Sequence, residues 1–186
     1  VADGLGMTKL PPAPQAAAPV QDLPPSPALQ LIGKMKDTLE GRCVGILVSE
    51  GSDGAMVDKI RKAAERAGAT VKIVAPKIAV TLKDGSRLAA DGQLAGTPSM
   101  VFDAVASVLM PSEGDKLARD SAAVEWFANA FAHLKAIAAC KGTQVILQKA
   151  NVEPDAGVLA IEDVNGFIAA AKTRQWAREP NVRTLA

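Results

Sequence analysis

From residue 41 onward, short continuous apolar runs alternate with stretches whose apolar residues recur at helical spacing. Cys43-Val44-Gly45-Ile46-Leu47-Val48 is the first run, and the polar Ser49-Glu50-Gly51-Ser52-Asp53-Gly54 ends it. Met56, Ile60, Ala63, Ala64 and Ala67 then follow a helical period, with Gly68 placed to stop the helix at C′. Val71-Lys72-Ile73-Val74 is a second strand. Strand, helix and strand within about 30 residues make a βαβ unit, which implies parallel pairing and a right-handed crossover.

Residues 80–94 break this rhythm. Val80, Leu82 and Leu88 alternate with polar neighbours around Asp84-Gly85, a strong hairpin signal, and predict a small β-arm projecting from the main sheet. Val105-Ala106-Ser107-Val108-Leu109-Met110 is the next core strand, stopped by Pro111. Ser121 is placed to cap a helix carrying Val124, Phe127, Phe131 and Leu134 on one face. Ala136-Ile137-Ala138-Ala139-Cys140 is a further strand, residues 143–147 begin another helix, and residues 158–161 form the last strand. Asp163 caps a final helix with Val164, Phe167, Ile168 and Ala171. Continuous apolar strands alternating with helices predict an α/β fold with a doubly wound, mostly parallel sheet covered on both faces.

The first 27 residues are different. They hold seven prolines and five alanines, which disfavour both helix and sheet and predict an extended, polyproline-like linker. The opening residues 1–7 look like the end of a preceding element, so the chain reads as a fragment of something larger. The expected organisation is a linker over 1–27 and a globular domain over 28–186. A short amphipathic piece with Leu29, Leu31, Ile32 and Met35 is expected to pack on that domain. At the other end, Arg174-Gln175-Trp176-Ala177-Arg178-Glu179-Pro180 reads as a docking segment ending in extended chain.

Composition narrows the function. The 186 residues carry 21 basic and 20 acidic side chains, a formal charge of +1, which excludes a strongly basic nucleic-acid binder. No apolar run is long enough to span a membrane. Tyr is absent and Phe and Trp together number six, so the core falls to Ala, Val, Ile and Leu. The two cysteines, Cys43 and Cys140, are too few for a secreted disulfide scaffold and fit a reducing, cytoplasmic setting. With one histidine, His133, no zinc site of ordinary ligand count can be assembled.

In a doubly wound sheet, ligands sit beyond the carboxyl ends of the strands. Residues 49–54 lie at such a strand-to-helix corner, where free amides could cradle a phosphate or flavin. Their spacing matches no phosphate-loop motif, and Glu50 and Asp53 would repel the anion. An ordinary capped βα turn is the favoured reading. Cys140 stands at another corner, followed by Lys141-Gly142, where a helix start would favour the thiolate. A cysteine hydrolase or glyoxalase-like enzyme using Cys140 is therefore the competing functional class. Nucleophilic catalysis also needs a base in reach, and His133 should lie at the opposite end of that strand, about 20 Å away. The small, half-buried packing role outweighs the nucleophile. Cys43 begins a core strand and reads as packing, and its disulfide with Cys140 is disfavoured because the two occupy opposite strand ends. Trp126 and Trp176 fit packing or interface roles.

The order of these elements resembles a known family. Residues 41–48, Arg66-Ala67-Gly68-Ala69, Asp84-Gly85 and the corner at 136–142 are similar to the class I glutamine amidotransferase-like superfamily, with its flavodoxin-like fold. Within it, Ala95-Gly96-Thr97-Pro98-Ser99 and the proline-rich stretch entering Ser26-Pro27-Ala28-Leu29 resemble the C-terminal domain of large-subunit haem catalases. The resemblance implies that Cys140 occupies the superfamily's nucleophile position, with Met56 at the place of its acid and no partnering histidine. It therefore implies a vestigial corner, with no catalytic, cofactor-binding or metal residue in this chain. Haem, its tyrosine ligand and the distal histidine would belong to the parent enzyme, which decomposes hydrogen peroxide. The implied partners are the N-terminal catalase core and other subunits of a homotetramer, with unfolded polypeptides as a further, chaperone-like class. The implied jobs are subunit stability, tetramer assembly and access to the haem.

Overall fold

Asp53 shows how the sequence sets its first helix. Its carboxylate accepts from the amides of Ala55 and Met56, satisfying two of the donors a helix N-terminus leaves open. The helix runs until Gly68, at φ +94°, takes the left-handed C′ conformation that a side chain resists. The computed structural model describes residues 2–10, 12–13 and 24–182. It falls into two units, residues 1–34 and residues 35–186.

In the larger unit, β1 (Cys43–Val48), α1 (Gly54–Arg66) and β2 (Thr70–Ala75) are followed by β3 (Ala79–Thr81), β4 (Arg87–Ala89) and β5 (Gly92–Gln93). Next come β6 (Ala104–Val108), α2 (Pro111–Leu117), α3 (Ser121–Ala132), β7 (Ile137–Ala139) and α4 (Gln144–Lys149). β8 (Val158–Ala160), α5 (Val164–Ala171) and α6 (Glu179–Val182) complete the order. Six strands form one sheet in the order β5-β2-β1-β6-β7-β8, and every neighbouring pair is parallel. β3 and β4 pair antiparallel as a separate hairpin.

Strand alternation separates two cores. Val44, Ile46 and Val48 face one layer with α1 and α5, where Ile60, Ala64 and Phe167 are buried. Leu47, Val105 and Ile137 face the other layer, with Trp126, Phe127 and Phe131 of α3. The central strands β1, β6 and β7 are thus covered on both sides, the doubly wound architecture expected from their unbroken apolar runs. Gly45 is a strand glycine because the Phe102 ring lies where its side chain would be, 2.6 Å from an ideal Cβ.

Several local expectations change. β6 ends at Val108, before the expected Met110, and Pro111 does not stop a strand but opens α2 at a position that tolerates a missing N–H, a helix the apolar pattern does not reveal. Asp120, one residue earlier than Ser121, caps α3 by accepting from Ala122 N at 2.9 Å. The buried face of α3 is Ala123, Trp126, Phe127, Ala130 and Phe131, while Val124 is half-buried and Leu134 lies beyond the helix at φ +57°. The hairpin does not simply project: Val80 is buried in the α1 layer, and β5 returns to extend the main sheet beside β2. At the C-terminus, residues 179–182 are helical rather than extended.

In the smaller unit, Asp3–Leu5 is one 3-10 turn closed by Gly6 at φ +67°. In the amphipathic piece residues 27–29 and 32–34 are turns, and Leu29, Leu31 and Ile32 are exposed, as is Met35 at the start of the larger unit. The linker reading of residues 14–23 lies outside the described residues.

Candidate functional site

The parallel sheet turns its carboxyl edge toward the corners after β1, β6 and β7, and these meet at one cleft of about 250 Å³. Gly51, Asp53 and Met56 come from the β1–α1 corner, Leu109 to Pro111 from the β6–α2 corner, and Cys140 from the end of β7. Lys83 of the hairpin and Glu162, just past β8, complete its rim. The switch in strand order falls between β1 and β6, so this is where such a sheet offers a crevice.

Cys140 and Met56 both line this cleft. The sulfur is held by main chain. It accepts from Leu109 N at 3.1 Å, donates to Leu109 O at 3.2 Å, and touches Thr143 Oγ1 at 3.2 Å. Thr143 Oγ1 is 2.7 Å from Ser107 Oγ, which donates in turn to Ala138 O at 3.3 Å. That assignment leaves the Thr143 proton on Ser107 and the thiol proton on Leu109, so each donor in the chain has an acceptor. None of these partners is a carboxylate or an imidazole, the groups that withdraw a proton from a nucleophile. The Cys140 backbone is ordinary extended chain, φ −87° and ψ 172°, and not the strained turn of a nucleophile elbow.

The corner that follows lacks a long helix. Residues 141–143 form a 3-10 turn, and α4 begins only at Gln144 and ends at Lys149. Lys141 is exposed. The packing is close: a Cβ on Gly114 would collide with the Gly142 carbonyl, and one on Gly142 with the Leu109 and Met110 carbonyls. Two glycines thus let α2 and the Cys140 corner touch backbone to backbone.

Residues 49–54 form the capped turn rather than an anion cradle. The Gly51 amide donates to Thr81 O at 2.8 Å, Ser52 N to Ser49 O at 3.2 Å and Ser49 N to Ser52 Oγ at 2.9 Å. The Ala55 and Met56 amides are held by Asp53, so these donors do not face a ligand. Glu50 accepts from Thr81 N at 2.8 Å and pairs with Lys77 at 3.2 Å. The Thr81 amide first, and Lys77 next, hold its carboxyl below the usual value.

His133 follows α3, exposed, with Nδ1 2.8 Å from Asn129 O, and stands before β7 while Cys140 stands after it. Cys43 opens β1 at the opposite sheet edge; both thiols are free. Trp126 is buried, set edge-on to Phe102 and Phe127 at centroid distances of 6.2 and 5.1 Å. Met110, Lys83 and Glu162 were not singled out from the sequence, because their shared cleft joins three corners far apart along the chain. Among the described residues no group of three His, Cys, Asp or Glu side chains is placed to hold a metal. No described helix is long and apolar enough to cross a membrane.

Comparison with known proteins supports the same family. The model of the C-terminal domain found in long catalases matches residues 40–174. Catalase C of Rhizobium meliloti is 38% identical over 193 residues, covering 98% of this chain and 27% of that protein. Catalase HPII of Pseudomonas aeruginosa is 30% identical, covering 92% of this chain and 25% of that protein. The chain thus spans about a quarter of the length of these relatives. A two-domain protein of Anabaena variabilis containing DJ-1/ThiJ/PfpI-like and ferritin-like domains aligns with a TM-score of 0.53 at 21% identity. That alignment covers 61% of this chain and 34% of the other, a likeness of fold. The match over residues 40–174 and the 38% identity to Catalase C show that the chain belongs to the family of C-terminal domains found in long catalases.

Proposed function

We propose that this chain is a non-catalytic accessory domain of a large-subunit catalase that converts hydrogen peroxide to water and oxygen. The observation that carries the reading is the state of Cys140: its sulfur is engaged by the Leu109 main chain and Thr143, and what Met56 brings to the same cleft is a thioether. A thioether neither accepts a proton usefully nor orients a base. Haem does not fit this chain's own residues. There is no Tyr in the sequence, and the one histidine is an exposed residue bonded to its own helix. In this reading the haem, and the chemistry it supplies, belong to the remainder of the parent enzyme.

The domain then contributes to subunit stability, to assembly of a homotetramer and to access to the haem, with holding of unfolded polypeptides as a lesser role. Its partners are the catalase core and neighbouring subunits. Two free thiols in separate strand-end positions favour a reducing, cytoplasmic compartment.

The test uses the full-length enzyme. Cys140→Ala should leave peroxide turnover per haem within about twofold, on a scale where tenfold is 1.36 kcal/mol of barrier. Deletion of residues 35–186 should retain initial turnover while lowering the temperature of heat inactivation. Loss of turnover in the Cys140 variant, or unchanged heat resistance after deletion, would overturn the proposal.

A further inference from the structure

Three of the chain's seven sulfur-bearing side chains, Met56, Met110 and Cys140, line one cleft at the carboxyl edge of the sheet. We propose that this cleft binds a soft monovalent cation of the copper(I) class, held by the Cys140 thiolate and the thioethers of Met56 and Met110. Thiolate and thioether ligands select such ions, whereas hard cations need oxygen donors.

The loop geometry is shaped around one of these sulfurs. Met110 is 44% exposed instead of buried in a core, and its Sδ rests where a Cβ on residue 51 would be. Gly51 is at φ +74°, a backbone conformation that favours glycine, and the sulfur lies over it. Cys140 is already oriented. Leu109 N–H donates to the sulfur at 3.1 Å, the kind of outer hydrogen bond that orients a metal ligand. The bond to Leu109 O is given up, and Thr143 Oγ1, 3.2 Å away, turns its proton from Ser107 to the sulfur. In the binding step the Cys140 S–H bond breaks, its proton goes to solvent, and one sulfur–metal bond forms with no change of oxidation state. The rim favours a cation. Asp53 and Glu162 face one lysine, Lys83, and Glu162 has no hydrogen bond or ion pair among the described residues.

The experiment titrates copper(I) anaerobically into the full-length protein in competition with bicinchoninate. Wild type should bind one equivalent more than Cys140→Ser, while Cys43→Ser should match wild type. Met56→Leu and Met110→Leu preserve apolar bulk, and each should weaken that equivalent at least tenfold while leaving circular dichroism unchanged. X-ray absorption should show a sulfur-only first shell. Equal stoichiometry in wild type and Cys140→Ser, or unaltered affinity in the double methionine variant, would overturn the site.

Discussion

Arg178 and Asp155, distant in sequence, form a forked ion pair, with Nε 2.5 Å from Oδ2 and Nη2 2.9 Å from Oδ1. The guanidinium is 1% exposed at its side chain, lies over the Phe131 ring at 4.1 Å and also donates to Phe131 O and Lys135 O. One arginine therefore fastens the C-terminal segment to the end of α3 and to the loop before β8. Arg178→Ala should lower the unfolding free energy by about 3–5 kcal/mol, because it leaves a partly buried carboxylate without its cation and removes the guanidinium's bonds to the Phe131 and Lys135 carbonyls. Lys116→Ala, which breaks an exposed pair with Glu113, should change it by less than about 1 kcal/mol. Urea titration of both variants checks the contrast.

Acid should strain the same fastening. Burial pushes the Asp155 carboxyl up, but the Arg178 hydrogen bonds and the Gly157 amide outweigh it and hold the group below its ordinary value. A carboxyl depressed in the folded state stabilises above its unfolded value near 3.8 and loses that contribution as pH falls through the lower folded value. Unfolding measured from pH 5 down to pH 2 should therefore fall more steeply for wild type than for Asp155→Asn.

Base should act in the opposite sense through Lys135. Its ammonium is buried, 2% exposed, and donates to Ser99 O at 2.7 Å. Burial first, and then the nearby Arg174 charge, lower it to about 8, with Asp103 partly opposing. The folded chain releases this proton before the unfolded chain does, so stability should rise between pH 8 and pH 10.5. The gain is on the order of 3 kcal/mol if the full displacement is expressed. Lys135→Met should remove that rise, and a guanidinium series at pH 7.5, 8.5 and 9.5 (about one decade per step) would show it.

Close backbone packing at the Cys140 corner gives a steric prediction. Gly114→Ala places a methyl into the Gly142 carbonyl, a main-chain group that cannot swing aside, and should cost about 3 kcal/mol or more. Gly96→Ala meets open space and should stay within about 0.5 kcal/mol of wild type. Thermal melts of the two variants separate a filled corner from a loose one.

Periodicity carried most of the fold. β1, α1 and β2 match their apolar pattern because Val44, Ile46 and Val48 alternate with Leu47 between two buried layers, and Gly68 ends the helix by conformation alone. The hairpin was legible at Asp84-Gly85, with Gly85 at φ +84°. α2 was missed because Ser112, Glu113, Asp115 and Lys116 give it little apolar stripe, and its position is fixed instead by glycine contacts across to residue 142. β5, only Gly92–Gln93, is a strand because β2 offers it an edge, not because its residues favour one.

By itself the sequence determined a parallel sheet wrapped by helices, the corner at Cys140 and the separation of that thiol from His133, since strand period and strand length decide these locally. The tertiary structure alone decided which atoms meet the sulfur. Leu109 and Thr143 bond the sulfur while Met56 and Met110 line the same cleft, and no spacing along a chain encodes a distance between loops that only the folded sheet brings together.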